Sequence, residues 1–202
     1  MNLEVSIRPA CPNDASFVAE MLYLSLDGLA DHLFEEPAPQ ILDHLERLVV
    51  RNAGRFGIDL AFVAEVGGKS LGVMFSSEGA RLDSLNLAVF PHLFPVLGFG
   101  PALHFIWRGV RLPGGAEATK DEYYISNIGV HPSAQGQGIG SRFLAYAEKI
   151  ARDRNLEKCS LIVDFHNPNA FRLYQRTGYQ VVETAHDKNE NFGYHRMVKQ
   201  LS

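Results

Sequence analysis

Residues 123–155 constrain the fold more than any other stretch of this chain. "YYISNIGVHP" is apolar and stopped by Pro132, the pattern of a strand. "SAQGQGIG" then sets Gly136, Gly138 and Gly140 within five positions. A helix follows to about Asn155, with Ile139, Phe143, Tyr146 and Ile150 on one side. Glycine weakens helices, so a helix opened this way points to something that its first turn must hold. Strand, glycine turn and helix in that order predict an α/β fold.

The flanking sequence agrees. "LEVSIRPA" (3–10) alternates as a half-buried strand does. Asn13 or Asp14 is placed to cap a helix starting near Ala15, with Phe17, Val18, Met21, Leu22 and Leu24 at helical spacing. A polar stretch over 27–39 leads to a second helix, "QILDHLERLVVRN". "DLAFVAEV" and "SLGVMFSS", joined by "GGK", read as a hairpin. After the glycine turn and its helix come a buried strand, "CSLIVDF", and a short helix, "NPNAFRLYQRTG", opened by an Asn and closed by Gly178. Two strands, "YQVVETA" and "YHRMVKQL", complete one domain over 1–202, interrupted by an apolar, proline-rich insert at about 80–118.

Composition narrows the function. With 46% hydrophobic and 21% charged residues over 202 positions, the chain can bury a core. A net charge of −4 argues against nucleic acid as the main partner. Cys11 and Cys159 allow no disulfide framework and no CxxC metal pattern, so no metal site is expected and a reducing, cytoplasmic setting is. The N-terminus carries Glu4 and Arg8 within its apolar stretch and shows no signal-peptide core. Residues 85–107 contain no Asp, Glu, Lys or Arg and are long enough to span a bilayer. Pro91, Pro95, Pro101, Gly98 and Gly100 interrupt them. At roughly 3 kcal/mol per interior proline, stable membrane insertion as one helix is not expected. The prolines and glycines suit a shaped loop better than a compact helix.

A helix N-terminus offers unpaired N–H groups and partial positive charge, and glycines let a ligand approach them. A phosphate or pyrophosphate is the natural guest. A Walker loop would need Gly-Lys-Ser/Thr, and "GIGSR" has no lysine. A dinucleotide fingerprint would need an acidic residue at the end of the next strand, whereas Glu157 precedes it. Glycines that merely relieve crowding remain the bland alternative.

Two motifs carry a resemblance. "IGVHPSAQGQGIGSRFL" resembles the acetyl-CoA signature of the GNAT superfamily of N-acyltransferases, Gln/Arg-x-x-Gly-x-Gly/Ala after Val-x-Pro, filled here by Gln135, Gly138, Gly140, Val130 and Pro132. "CSLIVDF" followed by "NPNAFRLYQRTGY" is similar to a second family motif, with Asn167, Asn169, Tyr174, Gly178 and Tyr179 at the matching positions. The two motifs cover about residues 123–182. The insert does not match a minimal member.

The resemblance implies a mixed central sheet flanked by helices, with a V-shaped splay between the two central strands. It implies acetyl-CoA as cosubstrate, its pyrophosphate on the amides of Gln135, Gly136, Gln137, Gly138, Ile139, Gly140 and Ser141. The pantetheine arm would run along "NIGV", pairing with the backbone of Ile128 and Val130, with Gly129 tolerating a bulge. An amide near Ile128 would serve as oxyanion donor, Tyr174 as general acid and Asn167 as a partner of the arm. Glu122, Ser126, His131, Asp164 and His166 lie near the central strands as candidate bases, with Ser126 sharing strand parity with Ile128 and Val130 while Asn127 faces the other way; none stands out, and a water chain is the alternative. Asp27, Asp31, Glu35 and Glu36 lie where the family places its acceptor wall. The function implied is transfer of an acetyl group to a primary amine of a small molecule or peptide; a non-catalytic acyl-CoA-binding sensor or interaction module is the alternative. The insert lies outside the resemblance; an apolar segment of this length could pack on its own core, bury itself in a homodimer contact, or roof the acceptor site, and its ends beside the central strands favour a roof with residues among Phe94, Phe99, Phe105 and Trp107 lining the site.

Overall fold

The computed structural model describes residues 5–112, 115–186 and 193–201. The first two residues of the expected N-terminal strand, and 113–114 within the insert, lie outside them. β1 (Val5–Pro9) leads into α1 (Ala15–Leu26), α2 (Leu29–Phe34) and α3 (Ala38–Val50). The hairpin β2 (Ala61–Val66) and β3 (Lys69–Glu78) turns at Gly67 and Gly68, both at positive φ. α4 (Leu82–Leu97) and α5 (Phe99–Gly109) follow, then β4 (Glu122–Val130), α6 (Ile139–Asp153), β5 (Lys158–Asp164), α7 (Pro168–Arg176), β6 (Gln180–His186) and β7 (Gly193–Gln200).

The strands form one sheet in the order β1-β2-β3-β4-β5-β7-β6. Every neighbouring pair is antiparallel except β4 and β5. Alternation along the strands builds a core on each face. Val73 and Phe75 join α1 to α5 on one face. Met74, Tyr123 and Ile125 join α6 and α7 on the other.

Two features bear directly on the site. Phe75 pairs with Asn127 but Ser76 pairs with Ile125, so Ser126 is the extra residue of a β-bulge. Parallel pairing of β4 with β5 ends at Ile125 and Leu161, although both strands continue. Residues 126–130 therefore leave β5, which gives the splay.

The insert is helical, not the irregular loop that its prolines suggested. Leu82, Leu85, Val89, Leu93 and Val96 recur at helical spacing and are buried. Pro91 and Pro95 lie on the exposed side of α4. The carbonyls that they leave without helical donors face water, which lowers the cost of the missing bonds. Pro101 is the third residue of α5, where no intrahelical N–H bond is lost. Gly98, at φ 84, makes the break between the helices. Arg47 donates to the Pro95 carbonyl at 2.9 Å and Arg108 to the Leu33 carbonyl at 3.1 Å, tying the insert to α3 and α2.

Candidate active site

The glycine turn is built as a cradle. Gly136 and Gly138 hold φ 74 and 85, and a Cβ on either would meet nothing within 4 Å. The first helical bond of α6 runs from Arg142 N to the Gly138 carbonyl. Among the described residues, the amides of 136–141 take no backbone acceptor. They are the orphan donors of a helix start, with open space beside Gly136 and Gly138. The Gln137 side chain donates to the Ser133 carbonyl at 3.0 Å and that of Gln135 to the Val130 carbonyl at 3.2 Å, bracing the turn from outside. Gly140 serves packing instead: a Cβ there would lie 2.9 Å from Leu173 on α7. Ile139 buries its side chain in the core while its amide stays at the turn.

Backbone direction at the splay follows from one bond. His131 N donates to the Leu71 carbonyl at 2.9 Å. By alternation Gly129 also bonds towards β3, and the N–H groups of Ile128 and Val130 point the other way, into the splay. Gly129 does not carry the bulge. Its neighbour is α1, where a Cβ would meet the Met21 carbonyl oxygen at 2.2 Å. The bulge at Ser126 also overturns the expected parity, because Ser126 and Asn127 both face the α1 side.

There a cavity of about 900 Å³ opens, lined by Ser126 and Asn127 of β4, Ile162 and Asp164 of β5, and His166. Its walls come from the end of α1, from α2, and from α4 and α5 through Val89, Phe90, Leu93, Phe105 and Ile106. The insert thus roofs the cavity, but of the four aromatics expected there only Phe105 does so. Phe94, Phe99 and Trp107 lie on the outer surface, 37%, 73% and 54% exposed. Of the expected acceptor wall, Asp27 lines the cavity; Asp31 accepts from the Tyr23 hydroxyl, Glu35 pairs with Arg108 and Glu36 bonds His44.

The candidate bases separate. Glu122 is buried and bonded to Arg196 at 2.6 and 2.5 Å and to the Thr119 amide, which makes it a structural ion pair. Burial alone would raise its pKa, but those bonds overcome it and hold the carboxyl below the ordinary value. His131 accepts from Ser133 N and bonds its hydroxyl, capping the turn after β4. Ser126, Asp164 and His166 remain at the cavity, and His166 Nδ1 lies 2.9 Å from Asp164 Oδ1.

Tyr174 is buried on α7, and burial pushes its phenol up to about 12. It therefore holds its proton at neutral pH, as an acid must. The Asn167 side chain accepts from Ala170 N at 3.0 Å, so it caps α7.

A polar floor was not foreseen from the sequence. Glu117 receives Arg55 at 3.0 and 2.8 Å and the Tyr124 hydroxyl at 2.6 Å, while Arg55 also reaches Asn86. Burial would raise the Glu117 carboxyl; Arg55 and Tyr124 keep it low and ionised. Arg55 and Glu117 are 62 positions apart, and no local pattern announces such a pair.

The family model described as Acetyltransferase (GNAT) family matches residues 59–179, from the hairpin to the end of the second motif. This chain belongs to that family. Family membership brings acetyl-CoA as cosubstrate, and the open amide cradle fits its pyrophosphate. The N-acetyltransferase YycN of Bacillus subtilis is 32% identical over 121 residues, 55% of this chain and 76% of that protein. The mycothiol acetyltransferase of Rhodococcus erythropolis is 34% identical over 77 residues, 38% of this chain but only 25% of that longer protein. An N-acetyltransferase from Staphylococcus aureus superimposes with a TM-score of 0.73 over 96% of this chain and 99% of its own at 24% identity, a likeness of fold.

Proposed function

We propose that this protein transfers the acetyl group of acetyl-CoA to a primary amine of a small molecule or peptide that enters the cavity at the splay. One observation carries the reading: the amides of Ile128 and Val130 face a gap in the sheet whose flanking residues also line the cavity. In this reading the amides of 136–141 hold the pyrophosphate, the expected Gln135 amide being bonded instead to the Pro132 carbonyl, and Ile128 and Val130 hold the arm as an added strand would. When bound, acetyl-CoA supplies an acetyl carbonyl activated as a thioester. The Ile128 amide donates to its oxygen as charge develops there. His166, with Asp164 on its ring nitrogen, takes a proton from the incoming ammonium so that the nitrogen can attack. Tyr174 gives its proton to the sulfur as the C–S bond breaks; the second proton of the acetylated nitrogen and the one held by His166 pass to solvent, which reprotonates Tyr174. Asn167 keeps its capping bond and steadies the start of α7 beside the arm.

A reducing, cytoplasmic setting belongs to this reading and fits the unpaired thiols of Cys11 and Cys159. No described helix is long and apolar enough to cross a membrane. A homodimer would use the outer face of the roof, where Phe99 and Trp107 stand exposed; an unchanged dimer mass for Trp107→Glu by light scattering would rule that face out. The test of function is thiol release from acetyl-CoA with and without a panel of amines, with products read by mass spectrometry. Amine-dependent release and an N-acetyl product support the reading. Tight CoA binding without amine-dependent release would leave a cofactor-binding module.

A further inference from the structure

The cavity beyond the splay is larger than an amine requires, and its chemistry is uneven. At about 900 Å³ it lies at the upper end of small-molecule sites. Most of its polar groups lie on the sheet side, at Ser126, Asn127, Asp164 and Glu117; Asn86 of α4 is bonded to Arg55, and Asp27 stands at the end of α1. Much of that polarity is already spoken for. Glu117 is neutralised by Arg55, and Asn127 donates to Ser25 at 3.1 Å. The opposite side is apolar, formed by Leu29, Leu33, Val89, Phe90, Phe105 and Ile106.

Charge sharpens the distinction. Between Asp83 and Glu117 the sequence has no acidic residue, so α4 and α5 offer no carboxylate to a second ammonium, and the carboxylate on the helical side of the cavity is Asp27, at the end of α1. It offers no free cation to an acidic acceptor either. Arg108 pairs with Glu35, and Arg111 lies over the Trp107 ring on the outer surface, 3.7 Å from its centroid. A polyamine or a sugar amine lying under α4 and α5 would lose water from its polar groups against Phe90 and Phe105 and recover no bonds from them. An apolar body would gain by the same burial.

We infer that the acceptor is a monoamine whose nitrogen is carried on a large apolar body, an aryl or long alkyl group, with the nitrogen on the Ser126–Asp164 side and the body under α4 and α5. This rests on the acetyl-transfer reading for its chemistry, but its binding component can be measured separately.

The experiment is a series of n-alkylamines from butyl to decyl with phenylalkylamines, against spermidine and kanamycin. Binding to the CoA-loaded protein is followed by calorimetry and acetylation by thiol release. The expected Kd falls roughly threefold to fourfold per methylene until the roof is filled. kcat/KM should rise in step, and both polar amines should lie at least tenfold below octylamine. Phe90→Ser and Val110→Asp replace cavity residues that are 39% and 78% exposed, so the core is not opened. Both should flatten the series and leave CoA affinity unchanged; a slope that survives both is not set by this roof and overturns the inference. A flat series in the wild type, or a preference for spermidine or kanamycin, overturns it too. A steep binding series without acetylation keeps the apolar-amine site and removes the transfer reading. Acetylation with a flat series does the reverse.

Discussion

Gly129 of β4 sits so close to α1 that a Cβ would lie 2.2 Å from the Met21 carbonyl oxygen. The contact is backbone to backbone, so neither partner can swing aside. It fixes α1 against the part of β4 that has left β5, and so helps to set the width of the splay. Gly129→Ala should force the two apart, costing about 1–3 kcal/mol as overpacking does. Because the shift falls at the splay, CoA affinity should drop with the melting temperature. Chemical denaturation and calorimetry on the same sample check this, and an unchanged CoA affinity would detach the contact from the site.

Gly138 tests the cradle. Its φ of 85 disfavours any side chain, and its surroundings are open. Gly138→Asn should cost only about 1 kcal/mol, since Asn tolerates the left-handed region. Gly138→Glu adds a negative charge where the proposed mechanism holds the pyrophosphate and should weaken CoA at least tenfold beyond the Asn variant. Equal CoA affinities for the two folded variants would take the pyrophosphate away from this turn.

Tyr174→Phe should lower kcat by about 10²–10⁴-fold, the usual general-acid contribution, with CoA affinity nearly intact. Burial raises the phenol to about 12, so the proton is lost only well above neutrality. The alkaline limb that Tyr174 contributes to the rate profile should accordingly lie above about pH 10. A wild-type turnover in the Phe variant would return Tyr174 to packing.

Much of this architecture is legible in the sequence because its signals are local. "GGK" between alternating runs gives the β2–β3 hairpin, and Ile41, Leu45, Leu48 and Val49 give the buried side of α3. α2 is hidden in a polar stretch, because a six-residue helix with Ala30, Leu33 and Phe34 buried is too short to show a period. The insert misleads for a different reason. Prolines are read as breakers without regard to which side of a helix they occupy, and Pro91 and Pro95 lie on the wet side. At the site, the glycine turn and Tyr174 stand out by motif. The bulge at Ser126 does not, since nothing local marks one unpaired residue. The Arg55–Glu117–Tyr124 floor is assembled from three separate segments. The helical insert also means that excising 84–112 would strip Val89, Leu93 and Phe105 from the core, so point changes are the sounder probe of the roof.

Glu122 separates stability from catalysis. Its buried pair with Arg196 has side chains only 4% and 9% exposed. Glu122→Gln leaves the guanidinium without its counter-charge and should cost about 3 kcal/mol, while kcat per folded molecule stays unchanged. The Glu122 carboxyl is held below its ordinary value when folded, so its stabilisation is present above the unfolded pKa of about 4.3 and is lost as pH falls through the lower folded value. Acid unfolding of the variant should show a shallower pH dependence below pH 4. A large fall in kcat at full folding would instead restore Glu122 as a base.

In the proposed mechanism the cofactor arm lies in the gap between β4 and β5 and points its sulfur at the roofed cavity. A crystal structure of the protein with CoA tests this most directly. The expected complex has the pyrophosphate on the amides of 136–141, the arm bonded to Ile128 and Val130, and the thiol at the mouth of the cavity lined by Ser126, Asp164 and Phe105. CoA bound with its arm outside the splay, or with its thiol turned away from that cavity, would contradict it.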